Sequence, residues 1–358
     1  MILAESAPQV AIVILNWNGW RDTIECLESV FRLDYSVFKV IVCDNGSEDG
    51  SLDQIRAWAE GKLSASVDGA PWKKMLQGVV KKPVTFVKYD RATAESGGDP
   101  AVEQPLVLIQ TGGNLGFAGG NNVGLRYAMS RENFAYVWLL NNDTVVKPDA
   151  LKCMVDRMCA KPDAGICGSK LVFYHQPNLV QALGGAGFDD KKMLVKPIGM
   201  FQDANAQCDE SEVEAQMAYV VGASMLVSLG FLREIGLMSE DYFLYFEEID
   251  WAIRAKGRFS LAFSPESVVY HKEGATIGSS STGKQSLLAT RLLYQNRVRF
   301  VRKFFRKRLM SCLIQIGWEF LVMLKRRQYR ACGTAVKAVL IELLHPGLPY
   351  TFRVKGDI

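Results

Sequence analysis

The chain has 358 residues, 49% hydrophobic and 22% charged, with a formal net charge of +4. This is the composition of a globular protein of one large or two modest domains, and the charge is too small to argue for a nucleic-acid partner. No run reaches the roughly 20 apolar residues of a membrane span, and Met1 to Pro8 lacks the basic start and apolar stretch of a signal peptide. Eight cysteines in no CxxC or metal-finger spacing read as reduced thiols in a cytosolic protein.

Val10 to Leu15 is a continuous apolar run ending in Asn16-Trp17-Asn18-Gly19, the pattern of a buried parallel strand and its turn. A helical period over Thr23 to Phe31, a second apolar run over Phe38 to Cys43 and a helix over Ser51 to Trp58 follow. This β-α-β-α order predicts an α/β fold, a doubly wound, mostly parallel sheet with its crevice at the strand carboxyl ends. Residues 61–104 are rich in Gly, Ser, Pro and charge and read as an insertion, with one strand over Val84 to Val87. Leu106 to Ile109 restores a strand, and Gly112 to Asn122 opens a helix running to Met129. Strands are expected over Tyr136 to Leu140, Gly165 to Phe173 and Ala218 to Ser228, and helices over Pro148 to Met158, Leu287 to Phe305 and Leu309 to Leu324.

Chemistry concentrates at the ends of these runs. Asp44 follows a buried strand, where its carboxylate either accepts a hydrogen bond from a pyrimidine N3–H or makes a simple Asx turn or helix cap. The Gly112 to Asn122 segment has neither GxGxxG nor a Lys-Ser/Thr pair, so a dinucleotide or P-loop fold is poorly supported. Its glycines would admit an anion to the backbone, or serve only tight packing. Asn141-x-Asp143 is a degenerate DxD whose one carboxylate suits Mg²⁺ or Mn²⁺ between diphosphate oxygens. Glu247, Glu248 and Asp250 crowd like charges among Tyr242, Phe243, Tyr245, Phe246 and Trp251, which raises a pKa and suits a general base; a solvated helix start is the alternative. His271 either completes a metal shell with Asp143 or is a core histidine.

Together the motifs resemble glycosyltransferase family 2, inverting enzymes of the GT-A fold, and within it the rhamnosyltransferase-like and galactofuranosyltransferase-like branch. They are Val13 to Asn18, Asp44 to Ser47, Asn114 to Asn122, Leu140 to Thr144, Gly222 to Leu226, Phe246 to Trp251 and Tyr270-His271, in family order. The resemblance implies a nucleotide-sugar donor bound by Asn16, Trp17, Asp44, Asn45, Ser47, Asn114, Gly116, Phe117, Asn121 and Asn142. It implies a divalent metal ion (Mg or Mn) on Asp143 and His271, and an acceptor against Gly222, Ala223, Ser224 and Trp251. Glu248 would deprotonate the acceptor hydroxyl, with Glu247 and Asp250 positioning the acceptor or tuning that base. Asn141 stands where a full DxD has its first acid, and 61–104 is longer than the family usually has there. A nucleotidyltransferase would prefer a basic glycine-rich signature near the N-terminus, and a non-catalytic scaffold would not need Glu247, Glu248 and Asp143.

The expected division is a catalytic domain over 1–286 and a basic helical C-terminal extension over 287–358. In Leu309 to Leu324, Ser311, Gln315 and Glu319 form a narrow polar stripe on a greasy helix, preceded by a basic run. That reads either as an interfacial element on an anionic membrane or as a helix packed on the catalytic domain. The family's frequent work on lipid-linked or cell-envelope glycans favours a cytoplasmic enzyme, peripheral at the inner face of the cell membrane, with a glycan or lipid-linked acceptor and no nucleic acid.

Overall fold

The structure is a computed structural model that describes residues 7–65, 80–190, 193–273, 285–348 and 350. Residues 66–79 of the expected insertion and 351–358 of the C-terminal extension lie outside the described residues. In chain order the first half runs β1 (Val10–Asn16), α1 (Trp20–Val30), β2 (Phe38–Asp44), α2 (Ser51–Ala59), β3 (Phe86–Asp90), α3 (Arg91–Glu95), β4 (Leu106–Gln110), α4 (Gly116–Arg131), β5 (Tyr136–Asn141), β6 (Thr144–Val146) and α5 (Ala150–Ala160). The second half runs β7 (Ala164–Phe173), β8 (Gln176–Leu183), β9 (Gly185–Asp189), β10 (Leu194–Pro197), α6 (Glu210–Gln216), β11 (Tyr219–Val220), β12 (Ser224–Ser228), α7 (Leu229–Ile235), α8 (Glu247–Ala255) and β13 (Ser260–His271). Three helices close the chain: α9 (Leu287–Phe304), α10 (Leu309–Lys325) and α11 (Tyr329–Leu344).

Ten strands form one sheet in the order β3-β4-β2-β1-β5-β12-β7-β13-β6, with β8 beside β7. The first five are parallel to one another, and β12 runs antiparallel between β5 and β7. Both faces of the sheet are covered, which is why its strands are apolar throughout. Along β1 the period of two is plain: Val10, Ile12 and Ile14 meet Ile24, Leu27, Trp58 and Met154 on one side, and Ala11 and Val13 meet Val123, Tyr127, Phe231 and Trp251 on the other. The register pairs Asn16 with Asp44, Asp44 with Gln110 and Leu15 with Asn141, so the polar residues ending each apolar run share one edge. Gly120 and Gly124 let α4 lie against β1, since a Cβ there would sit 2.4 Å from Leu15 and 2.5 Å from Val13. The glycines of this segment thus serve close packing as well as its turn.

Two expectations change. Part of the 61–104 segment is not surface elaboration, because β3 is the edge strand of the main sheet, paired with β4. The single strand expected over Ala218 to Ser228 breaks into β11 and β12 around a turn at Val221 to Ala223. Strands β8 to β10 and helix α11, which carry no strong local signal, complete the second half. The C-terminal helices share a core with the residues around α8: Tyr242, Phe246 and Ile249 pack with Val298, Phe300, Val301, Cys312, Ile316 and Ala335. Packing is continuous across residue 286.

Candidate active site at the carboxyl edge of the sheet

At the ends of β1 and β2, Asn16, Asp44 and Asn45 are almost fully buried. Asn16 Nδ2 donates to Asp44 Oδ1 (2.7 Å) and Ser47 Oγ donates to the same oxygen (2.6 Å), while the Ser47 N–H reaches Asp44 Oδ2 (3.2 Å). Thr23 Oγ1 donates to Asn16 Oδ1 (2.8 Å), and Asn142 Nδ2 donates to Thr23 Oγ1 (3.1 Å). Asn45 Nδ2 donates to Asn114 Oδ1 (3.0 Å) and to the Gly116 carbonyl (3.2 Å), and its own Oδ1 accepts from the Leu115 N–H (3.0 Å). This network fixes the start of α4 against β2, with Trp17 and Phe117 half-buried beside it. Of the expected donor residues only Asn121 turns away, buried and donating to the Phe117 carbonyl of its own helix (3.0 Å).

One strand further, His271 Nε2 lies 3.2 Å from Asp143 Oδ1. His271 Nδ1 lies 2.8 Å from Gln181 Oε1, an acceptor, so Nδ1 carries the proton and neutral His271 aims its Nε2 lone pair at the carboxylate. Two acceptors facing each other need a cation between them, either a proton or a metal ion. With a proton there, burial would lower His271, but the charge and hydrogen bond of Asp143 together with the charge of Glu273 raise it. Burial would likewise raise Asp143, but the His271 charge and hydrogen bonds hold it below the usual carboxylate value. No group of three or more His, Cys, Asp or Glu is placed to hold a metal ion among the described residues. One carboxylate and one imidazole do fit Mg²⁺ or Mn²⁺ when substrate phosphates and water supply the other ligands. Asn141 does not provide a second acid; its amide lies 3.5 Å from His271 Nε2.

The β11–β12 turn joins these groups to α8. Ala223 O accepts from the Asn141 N–H (3.0 Å), and a Cβ at Gly222 would fall 2.5 Å from Glu248 Oε1 and 3.2 Å from Phe117. Gly222 therefore gives the Glu248 carboxylate its seat. The chain enters α8 through Tyr245 and Phe246, both left-handed (φ 73° and 77°), a strained entry that surrounding contacts must enforce. Asn296 of α9, wholly buried, donates through Nδ2 to the Leu244 (2.7 Å) and Tyr245 (3.2 Å) carbonyls, and the Phe117 N–H donates to Phe243 O (2.7 Å). Glu247 is 1% exposed with an oxygen, Oε2, that meets no hydrogen-bond partner among the described residues. Burial, and then the Glu248 charge, push Glu247 well above the ordinary carboxylate value. Burial also raises Glu248, which is partly exposed and opposed by backbone N–H groups. Glu247, the more buried of the two, is the more strongly raised. Tyr219 of β11 lies close enough that, after burial, the charges of Glu248 and Glu247 raise its phenol.

Besides Asn121, three expected residues do not reach this crevice. Asp250 is fully buried and bound by Arg254 (2.8 Å), Lys303 (2.7 Å) and Tyr242 (3.2 Å), so it ties α8 to α9 and touches the pair only through its charge. Trp251 lies in the core, its Nε1 donating to Gly236 O (2.9 Å) and its ring edge-on to Phe231. Ser224 Oγ is buried among Trp138 Nε1 (2.9 Å) and Ser169 Oγ (2.8 Å). Sequence reasoning missed Gln181 and Asn296. Each is a neutral side chain in an otherwise ordinary element, and only its long-range partner shows its use.

Residues 11–82 and 100–183 match the sequence model of Glycosyl transferase family 2. The low-salt glycan biosynthesis hexosyltransferase Agl10 of Haloferax volcanii is 23% identical over 186 residues, which are 51% of this chain and 57% of that protein. The chain thus spans little more than half the length of that relative. Among solved structures, GalNAc-T7 with UDP, GalNAc and Mn²⁺ superposes with a TM-score of 0.54 at 14% identity, over 83% of this chain and 48% of that one. Mannosyltransferase PcManGT from Pyrobaculum calidifontis, solved with GDP-Man and Mn²⁺, gives 0.49 at 15% identity over 96% and 78%. The family match passes over residues 83–99, where β3 and α3 stand.

Proposed function

We propose that this chain, whose residues 11–82 and 100–183 match the Glycosyl transferase family 2 model, is an inverting glycosyltransferase of the GT-A fold using a nucleotide-sugar donor. The observation that carries the reading is the placement of Glu248, a raised, partly exposed carboxylate seated on Gly222, at the same strand edge as the Asp143–His271 pair. Asp44, Asn16 and Ser47 would receive the base and ribose, and the start of α4 the rest of the donor. A divalent ion held by Asp143 and His271 would neutralise the departing diphosphate. Glu248 would take the proton from the acceptor hydroxyl as its oxygen attacks the anomeric carbon, and a single displacement inverts the configuration. Neutral Glu247 keeps a second negative charge away from the attacking oxygen.

The finer reading is a sugar of the rhamnose or galactofuranose kind, passed to a glycan or lipid-linked acceptor in cell-envelope polysaccharide synthesis. Its support is the motif resemblance. Eight free cysteines suit a reducing compartment, and the reading puts the enzyme in the cytoplasm at the inner face of the membrane. The test is donor hydrolysis and transfer with a panel of UDP-, GDP- and dTDP-sugars and Mn²⁺, the product anomer being read by NMR. Retained configuration would overturn the mechanism. Binding of nucleotide sugars without any turnover would favour a non-catalytic scaffold, and pyrophosphate release from a nucleoside triphosphate a nucleotidyltransferase.

A further inference from the structure

Helix α10 is inverted relative to its surroundings. Two members of the polar stripe turn inward, Glu319 accepting from Tyr294 Oη (2.8 Å) and pairing with Arg297 (2.9 Å) with Gln315 beside it, while Ser311 is exposed. Met310, Ile314, Trp318, Leu321 and Leu324 face outward instead, at 68, 71, 64, 52 and 45% exposure. At 3.6 residues per turn these five positions share a sector of about 120°. Isolated exposed apolar residues need no explanation, but a contiguous face carrying a tryptophan does.

The charges around this face have one sign. Between Ser286 and Leu348 the chain has two carboxylates, Glu319 and Glu342, and both point inward, Glu342 being 1% exposed and paired with Arg299 (2.8 Å). Exposed Arg306, Lys307 and Arg308 sit at the start of α10, and exposed Lys325, Arg326, Arg327 and Arg330 at its end. We propose that the outward face of α10 docks the protein on an anionic lipid surface, the helix lying in the plane of the interface with its basic ends at the headgroups. No described helix is long and apolar enough to cross a membrane, so the helix lies on the bilayer. A second copy of this face would bring the basic ends against each other, and a nucleic acid would leave Ile314 and Trp318 unrewarded. Only an anionic bilayer matches both the apolar sector and the uniform charge.

Because α9 to α11 share a core with Tyr242 and Phe246, truncation would damage the site, and surface variants of the full chain are the proper probe. Partition is read by sedimentation with phosphatidylglycerol and with phosphatidylcholine vesicles, without donor or acceptor, so the outcome is independent of the sugar-transfer reading. The full chain should sediment with phosphatidylglycerol and only weakly with phosphatidylcholine, and added salt should weaken but not abolish the former. Ile314→Ser with Trp318→Ser should lower partition at least about tenfold. Arg306→Glu with Lys307→Glu and Arg308→Glu should lower it about a hundredfold or more on phosphatidylglycerol alone. Circular dichroism and unchanged melting show that these variants fold. Wild-type protein left in the supernatant at low salt would overturn the proposal. So would a concentration-dependent dimer in sedimentation velocity that Trp318→Ser dissolves, since a second copy would then cover the face. Trp318 emission already shielded from acrylamide in the lipid-free monomer would overturn it too, because the chain itself would then cover the face.

Discussion

The two sides of the carboxyl edge are built in opposite ways. On the β1–β2 side, Asn16, Asp44, Asn45 and Ser47 spend their polar atoms on one another and on the start of α4, in a network of neutral donors around one carboxylate. On the α8 side, two adjacent glutamates lie against each other, one with an unpartnered buried oxygen, at the end of a strained turn. A satisfied network holds a fixed shape ready for a ligand, whereas crowded and desolvated carboxylates hold free energy that a proton transfer can use. Substitutions on the first side should therefore cost stability first, and those on the second should cost rate first.

The largest effect expected is on the α8 side. Glu248→Gln should lower transfer by about 10²–10⁴-fold, the usual worth of a general base, while donor affinity by calorimetry stays near wild type. Glu247→Gln imitates the protonated state that burial enforces, and should lower transfer by less than about tenfold. The reverse ranking would place the base on Glu247 and remove the distinction between the pair.

Metal dependence comes next. The hydrogen-bond partner of a metal-bound histidine's other ring nitrogen is worth about 10–100-fold in affinity, so Gln181→Leu should weaken Mn²⁺ binding in the presence of UDP by that factor, and Asp143→Ala by more. Protonated His271 cannot be a ligand. Because the Asp143 charge raises His271 above the ordinary 6.5, metal affinity should fall with acidification from a higher pH than an ordinary histidine would give. Full activity in excess EDTA would show that the pair is only an ion pair.

Asn296 and Asn16 sharpen the comparison from either side. Both are fully buried, and each loses three side-chain hydrogen bonds when replaced by leucine, so each variant should lose roughly 1–3 kcal/mol of stability per orphaned partner. Asn296→Leu should also lower kcat at unchanged donor KM, since the Leu244 and Tyr245 carbonyls it holds precede Glu247. Asn16→Leu should mainly raise donor KM. Equal loss of kcat in both would mean that the two sides do not divide the work.

Much of this site was legible because a parallel sheet puts polar residues at the ends of its apolar runs, and Asn16, Asp44, Asn141 and Asp143 stand there. Which way a neighbour points was not legible. Trp251 lies three residues after Glu248 on the same short helix, yet a helix turns about 100° per residue, and the ring enters the core. Ser224 begins a strand whose first side chain meets Trp138 rather than the crevice. Asn296 sits in a basic helix like any solvated residue, and its use comes from α9 crossing a loop about fifty residues earlier. Gln315 and Glu319 of α10 point inward because Arg297 and Tyr294 wait beneath Glu319, which no local period reports.

The smallest effect tests the contrast most directly. Burial and the Glu248 charge hold Glu247 well above the ordinary value of 4.5, so between that value and the raised one the folded chain binds more protons than the unfolded chain. Stability from this group is then fully present below the ordinary value and is lost as pH rises through the raised one. Glutamine has no proton to lose. The melting temperature of Glu247→Gln should therefore fall less than that of wild type as pH rises from about 4 to about 8, with the variant the more stable at neutral pH. An Asp44→Asn control should lose stability instead, because that carboxylate is the acceptor its network is built around. Parallel curves for wild type and Glu247→Gln would mean that Glu247 is charged in the folded protein, and the unpartnered oxygen would then hold no free energy for the proton transfer.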